Sequence, residues 1–143
     1  MRNNVLSGAL LGVGIAAFVD ETVFHQLLHW HHFYDKSTPA VGLVSDGVFH
    51  AASFFATVAS LFLLSSLRRQ GAFRARPWWG GLLTAAGAFQ LYDGTVQHKL
   101  LRLHQIRYEV DLTAYDWSWN IVAVLLVAAG VVLLARSRTA VAA

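Results

Sequence analysis

The chain has 143 residues, of which 56% are hydrophobic, with a mean hydropathy of +0.48, a formal net charge of +3 and a pI of about 9.7. A soluble domain this small has too little interior to hide so much apolar surface, so the composition points to one transmembrane domain over residues 1–143. The absence of cysteine excludes disulfides, thiolate metal sites, iron–sulfur clusters and cysteine nucleophiles, and because Lys and Arg sit at the ends of apolar runs the basic balance does not indicate nucleic acid.

Taken in order, Met1 to Asn4 is a short polar start carrying Arg2, and Val5 to Val19 is apolar and rich in Gly and Ala, as membrane helices often are. A signal peptide is the competing reading of this stretch. The first helix is expected over residues 5–30, which supplies the roughly 20 residues a crossing needs. Asp35, Lys36, Ser37, Thr38 and Pro39 are turn formers and place a loop at residues 33–44. A second helix follows over residues 45–67, with Ser45 or Asp46 as its cap. Arg68, Arg69, Arg74 and Arg76 form a basic loop, and Trp78 and Trp79 open a third helix over residues 78–103. A loop carrying Arg107, Glu109 and Asp111 leads to a fourth helix over residues 116–135.

Two stretches are alike. Asp20 to His32 holds two acids and four histidines directly after the first apolar run, and Asp93 to Gln105 aligns with it without gaps, sharing Asp, Thr, Val, His, Leu, Leu and a final His. Gly8 and Gly14 align with Gly81 and Gly87, and the Asp46 to His50 segment resembles Asp116 to Asn120. The chain therefore reads as an all-α four-helix membrane bundle made of two repeated helical hairpins, related by a two-fold axis along the membrane normal. Arg102 and Gln105 stand where the first copy has His29 and His32, so the site is expected to be asymmetric.

Four crossings put both termini and the arginine loop on one side, with seven of the eleven basic residues. The positive-inside rule makes that side cytoplasmic, and all acids and histidines then lie in the extracytoplasmic half.

His25, His29 and His32, spaced by four and three, share one face of an α-helix and suit a common ion. With His50 and His98, and with His104 further out, they are the candidate metal ligands. Ionisable groups at membrane depth are costly and mark functional sites. Imidazole and carboxylate donors suit iron, copper or zinc. Asp46 is a ligand-orienting or proton-transferring candidate beside His50. Asp20 and Asp93 lie five residues before His25 and His98, a rotation of roughly 140° on a straight α-helix, and so off their face. They share a face with His31 and His104, but roughly 16 Å away, so a common ion requires the helices to break. They are read as buried carboxylates available for proton transfer.

A second cofactor reading makes His25 and His98 the axial ligands of a haem b between the two copies.

The signatures at Asp20 to His32, Asp46 to His50 and Asp93 to His104 resemble those of a family of small bacterial four-helix membrane proteins of unknown function. That resemblance covers nearly the whole chain and implies a bacterial inner (plasma) membrane location. It brings no activity or ligand set. The residues themselves support a transition-metal protein, with redox chemistry on iron or copper favoured over zinc hydrolysis. The alternatives are a haem- or copper-carrying accessory protein of a respiratory enzyme, and a structural subunit whose polar residues lock helices together.

Overall fold

The computed structural model describes the backbone of residues 1–142 and the side chains of residues 1–138. Four helices account for most of the chain. Helix α1, Arg2–Asp20, continues without a break into a π-helical segment, Glu21–Leu27. Helix α2 is Pro39–Arg69. Helix α3, Ala75–Tyr92, continues into a second π-helical segment, Asp93–Leu100, and α4 is Thr113–Ala142. No strand occurs among the described residues.

Several helix ends differ from expectation: the third helix spans 75–100 rather than 78–103, and α4 starts at Thr113 rather than residue 116. Helix α2 starts at Pro39 rather than residue 45, because Thr38 caps it through Oγ1 to Val41 N at 3.4 Å and Pro39 has the fixed φ suited to a first helical position. The first helix ends at Leu27, not residue 30, for reasons that belong to the site below.

Helices α1 and α3 run parallel through the centre, with α2 packed on α1 and α4 on α3. Small residues allow the close central approach. A Cβ on Gly8 would fall 2.0 Å from Trp78 O, and one on Gly81 would fall 2.3 Å from Val5 O. At the end away from the histidines, Asn4 ties α1 to the α2–α3 connection: Nδ2 donates to Ala72 O, and Oδ1 accepts from Arg74 N. Ser7 sits between Ser60 Oγ and Trp78 Nε1, joining three helices through buried hydroxyls.

By length and composition, Arg2–Leu27, Pro39–Arg69 and Thr113–Arg138 are apolar enough to cross a membrane. The third helix is not among these spans, because Gln90, Asp93, Gln97, His98 and Lys99 interrupt its apolar run. Being central, it needs less lipid-facing surface. The outer helices carry that surface, as the exposed Phe54, Phe55 and Phe62 on α2 and Ile121, Leu125 and Val132 on α4 illustrate.

The close approach generates a paired test. Gly81→Val should lower thermal stability in detergent by about 1–3 kcal/mol or more, the usual cost of overpacking. Gly47→Ala, in the same kind of helix but with open space around it, should leave the melting temperature unchanged or slightly raised.

Candidate metal centre

The π-helical segments decide which side chains meet. In a π ladder each N–H reaches back five residues instead of four, so residues five apart come onto one face. Asp20 Oδ2 therefore lies 4.0 Å from His25 Nε2, and Asp93 Oδ2 lies 3.0 Å from His98 Nε2. The straight-helix expectation that separated these pairs by roughly 140° is corrected on this point.

Both segments then stop in the same way. Leu28 N and Leu101 N bond to Val23 O and Val96 O, and Trp30 N and Leu103 N bond to Phe24 O and Gln97 O. His29 and Arg102 have φ of +49° and +52°, the left-handed conformation that ends a helix. The chain folds back, and the next inward side chains are His31 and His104, both buried. Helix breakage thus brings these histidines to the carboxylates. It also dissolves the expected face of His25, His29 and His32, since His29 is exposed and only His25 lies in helical structure.

Four imidazoles form the centre. The rings of His31 and His104 stack at 4.6 Å with 4° between planes, His25 lies 4.5 Å from His31, and His98 lies 4.7 Å from His104. His31 and His104 therefore stand between His25 and His98, where a haem held by those two would need its slot. Backbone carbonyls from the opposite loop orient the inner pair. His31 Nδ1 donates to Ile106 O at 3.0 Å, and His104 Nδ1 donates to Phe33 O at 2.9 Å. In a neutral ring this leaves Nε2 as the lone pair, the form that binds metal. The Nε2 atoms of His25, His31 and His104 and Nδ1 of His98 are buried with no hydrogen-bond partner, whereas His98 Nε2 lies against Asp93 Oδ2. Burial, and after it the imidazoles of His104, His25 and His98, hold the His31 pKa down to about 2, so its ring is neutral.

Three buried groups place ligand atoms within 4.8 Å of one another: His31, His98 and His104; Asp20, His25 and His31; and Glu21, His25 and Asp46. Each could hold a metal ion. Asp93 adjoins the first, with Oδ1 3.5 Å from His104 Nε2.

Around His25 the first half adds a second layer. Its Nδ1 bonds to Asp46 Oδ1 at 3.1 Å and lies 2.8 Å from Glu21 Oε2. Asp46 also accepts from Phe33 N at 2.7 Å and pairs with His32 Nδ1 at 2.6 Å, so this wholly buried carboxylate joins α2, α1 and the loop. The second half lacks the layer: Gly94 stands where Glu21 would be, with the Trp119 ring against it, and Asp116 instead pairs with Lys99.

Of the sequence candidates, His25, His98, His104, Asp20, Asp46 and Asp93 are brought together. His32 is a half-buried partner of Asp46. His50 is exposed against Phe18, at 5.5 Å between rings, one turn along α2 from Asp46, and belongs to none of the metal-capable groups found among the described residues. Sequence reasoning left out His31 and Glu21. His31 carried a usable signal, as the aligned mate of His104; Glu21 has no counterpart and carried none.

Residues 7–137 match the model of a family described as "Predicted membrane protein (DUF2243)". No curated protein and no solved structure gives a match.

Asp46 generates the structural test of this centre. Asp46→Ala strands Phe33 N and two imidazoles, and should cost about 3 kcal/mol in detergent unfolding, as for a buried pair losing its charged partner. Loss of less than about 1 kcal/mol would contradict the role given to Asp46.

Proposed function

We propose that this chain, which belongs to the DUF2243 family of predicted membrane proteins, binds one transition-metal ion through His31, His98 and His104, with Asp93 beside them and His25 and Asp20 as the adjoining ligand pair. The observation that carries the reading is the convergence of buried, unpartnered ring nitrogens, two of them held in the metal-binding tautomer by backbone carbonyls. One ion shared by the first two groups, rather than one in each, is favoured because His31 belongs to both and has a single free nitrogen to give.

Three imidazoles with a carboxylate suit iron, copper or zinc. The metal supplies Lewis acidity or a redox couple. The protein's residues orient it and move protons: Asp46 fixes the His25 ring and links it to half-buried His32, a path by which a proton could pass between the loop surface and Asp20. Asp93 has the equivalent place beside His98. We favour a redox metalloenzyme over a zinc hydrolase, since an apolar cleft borders the centre at Asp20.

The duplicated architecture is part of the same proposal. Two hairpins offset by 73 residues in α1 and α3 are supported by the matched π segments, the matched left-handed residues and the reciprocal pairs His31 to Ile106 and His104 to Phe33. Four crossings of a bacterial plasma membrane, with the histidine end extracytoplasmic, follow from the arginine distribution.

A metal-delivering accessory protein for a respiratory enzyme is the second reading. It is favoured by a polar pocket of about 370 Å³ lined by His29, His32, Asp35 and Tyr108, which touches His31 from the surface. A haem b between His25 and His98 is the weaker cofactor reading, because His31 and His104 fill that interval.

Protein purified in mild detergent without a histidine tag should contain about one equivalent of iron, copper or zinc and no Soret band. His31→Ala and His104→Ala should each lose most of the metal, as removal of one of three or four ligands does. His29→Ala and His50→Ala should retain it. Equal metal content in all four variants would overturn the ligand assignment, and metal-free protein after reconstitution would leave only a structural role. Azide or cyanide should perturb the spectrum of the iron or copper form if it turns over, and leave it unchanged if it is a carrier.

A further inference from the structure

Helices α1 and α4 both pack on α3 but not on each other, and between them lies a cavity of about 480 Å³, in the size range of small-ligand pockets. Its flanks, Ile15 and Val19 on α1 and Val122 on α4, are half exposed, so it opens sideways at the apolar surface. Its two ends differ. Gly12, Ala16, Ala86 and Leu126 make a narrow aliphatic slot toward the middle of the helices, whereas Phe24, Phe89 and Trp119 make an aromatic end beside the histidines.

The aromatic end also holds Asp20 and Gln90. The Asp20 side chain is 5% exposed and makes no hydrogen bond, its nearest partner being His25 at 4.0 Å. The Gln90 amide is likewise unbonded; only the Gln90 backbone oxygen is used, by Trp119 Nε1. Leaving a buried carboxyl unpaired is costly. Asp20 belongs both to this cavity and to a metal-capable group, so the cleft leads from the lipid face to the cluster.

We propose that the α1–α4 cleft binds a hydroquinone-type lipid, its ring among Phe24, Phe89 and Trp119, one ring hydroxyl donating to Asp20 and the apolar tail in the aliphatic slot. Each part of the ligand is set by a part of the cleft. A carboxyl group accepts a hydrogen bond in either protonation state, so a head that donates satisfies it in both, whereas a bare acyl chain offers it nothing. Aromatic walls favour a flat ring over a branched alcohol. Sideways entry from the bilayer requires a membrane-dissolved molecule, and Gln90 offers a second polar contact to the same head. This assignment deepens the metal reading and rests on it for its purpose, but the binding is measurable by itself.

The test uses the full chain in phospholipid nanodiscs, with radiolabelled decyl-benzohydroquinone kept reduced under anaerobic conditions, and metal content measured on the same samples. Saturable binding at about one per chain is expected. Ala16→Phe and Val122→Phe, which fill the cleft from opposite walls, should each weaken it about tenfold or more, and Gln90→Leu by several-fold, all with unchanged metal content and melting temperature. Dodecanol and the oxidised quinone should compete poorly. Unaltered affinity in whichever filled variants fold, or equal competition by dodecanol, would overturn the proposal and leave a cleft filled by ordinary lipid. Metal without hydroquinone binding would remove this inference alone; hydroquinone binding to a chain that takes up no metal would uphold the cleft and remove the metal reading.

Discussion

The centre depends on a change of backbone ladder. At Asp20 and again at Asp93 the chain passes from α to π hydrogen bonding without leaving the helix, and five-residue pairs that an α-helix would splay apart come together. A π turn is less favourable than an α turn and occurs mostly as short insertions at functional sites. Here each segment runs a full seven or eight residues and ends at a non-glycine residue with positive φ. Backbone departures of this kind cost free energy and persist where the surroundings over-determine them. The surroundings include the opposite loop: each loop supplies the carbonyl that holds the other's inner histidine.

This reciprocity explains which features were legible from the sequence. Composition and apolar runs disclosed the helices, and the spacing of Asp20, His25, Asp93, His98 and His104 pointed to the two stretches that become π-helical. Periodicity failed where it assumed one ladder throughout. His29 reads as a ligand because four residues after His25 is one α-turn, and His31 reads as remote because a straight helix would hold it roughly 16 Å from Asp20. Once the ladder lengthens and the chain reverses at His29, the ranking inverts. A sequence pattern reports period only while the backbone keeps one, and nothing local at Glu21 or Gly94 announces the switch. The matching of His31 with His104 could have overruled the period, since two copies must place mates alike whatever the ladder.

The two halves are not equivalent, and the difference lies around rather than in the imidazole group. Both copies keep an Asp and two inward histidines. Only the first keeps Glu21 and Asp46 behind them, whereas the second has Gly94, whose missing side chain admits the Trp119 ring. One flank of the centre is thus polar and connected through His32 to the loop surface, and the other is aromatic and borders the lipid-facing cleft. A few residues set the two flanks apart, polar on the side of Asp46 and aromatic on the side of Trp119.

Charge balance favours a cation among the possible occupants of the centre. Asp20, Glu21, Asp46 and Asp93 are all at least nineteen-twentieths buried, in a region with no Lys or Arg among the described buried residues, and His31 is neutral. Asp46 is satisfied by its donors, but Asp20 has none, and several ring nitrogens face inward with nothing to bond. Water would satisfy lone pairs without offsetting negative charge. Protons would offset charge by converting the imidazoles to donors, with crowded like charges only 4.5–4.7 Å apart between ring centres. A transition-metal ion would do both at once, the lone pairs that lack donors becoming its ligands and its charge offsetting the buried carboxylates.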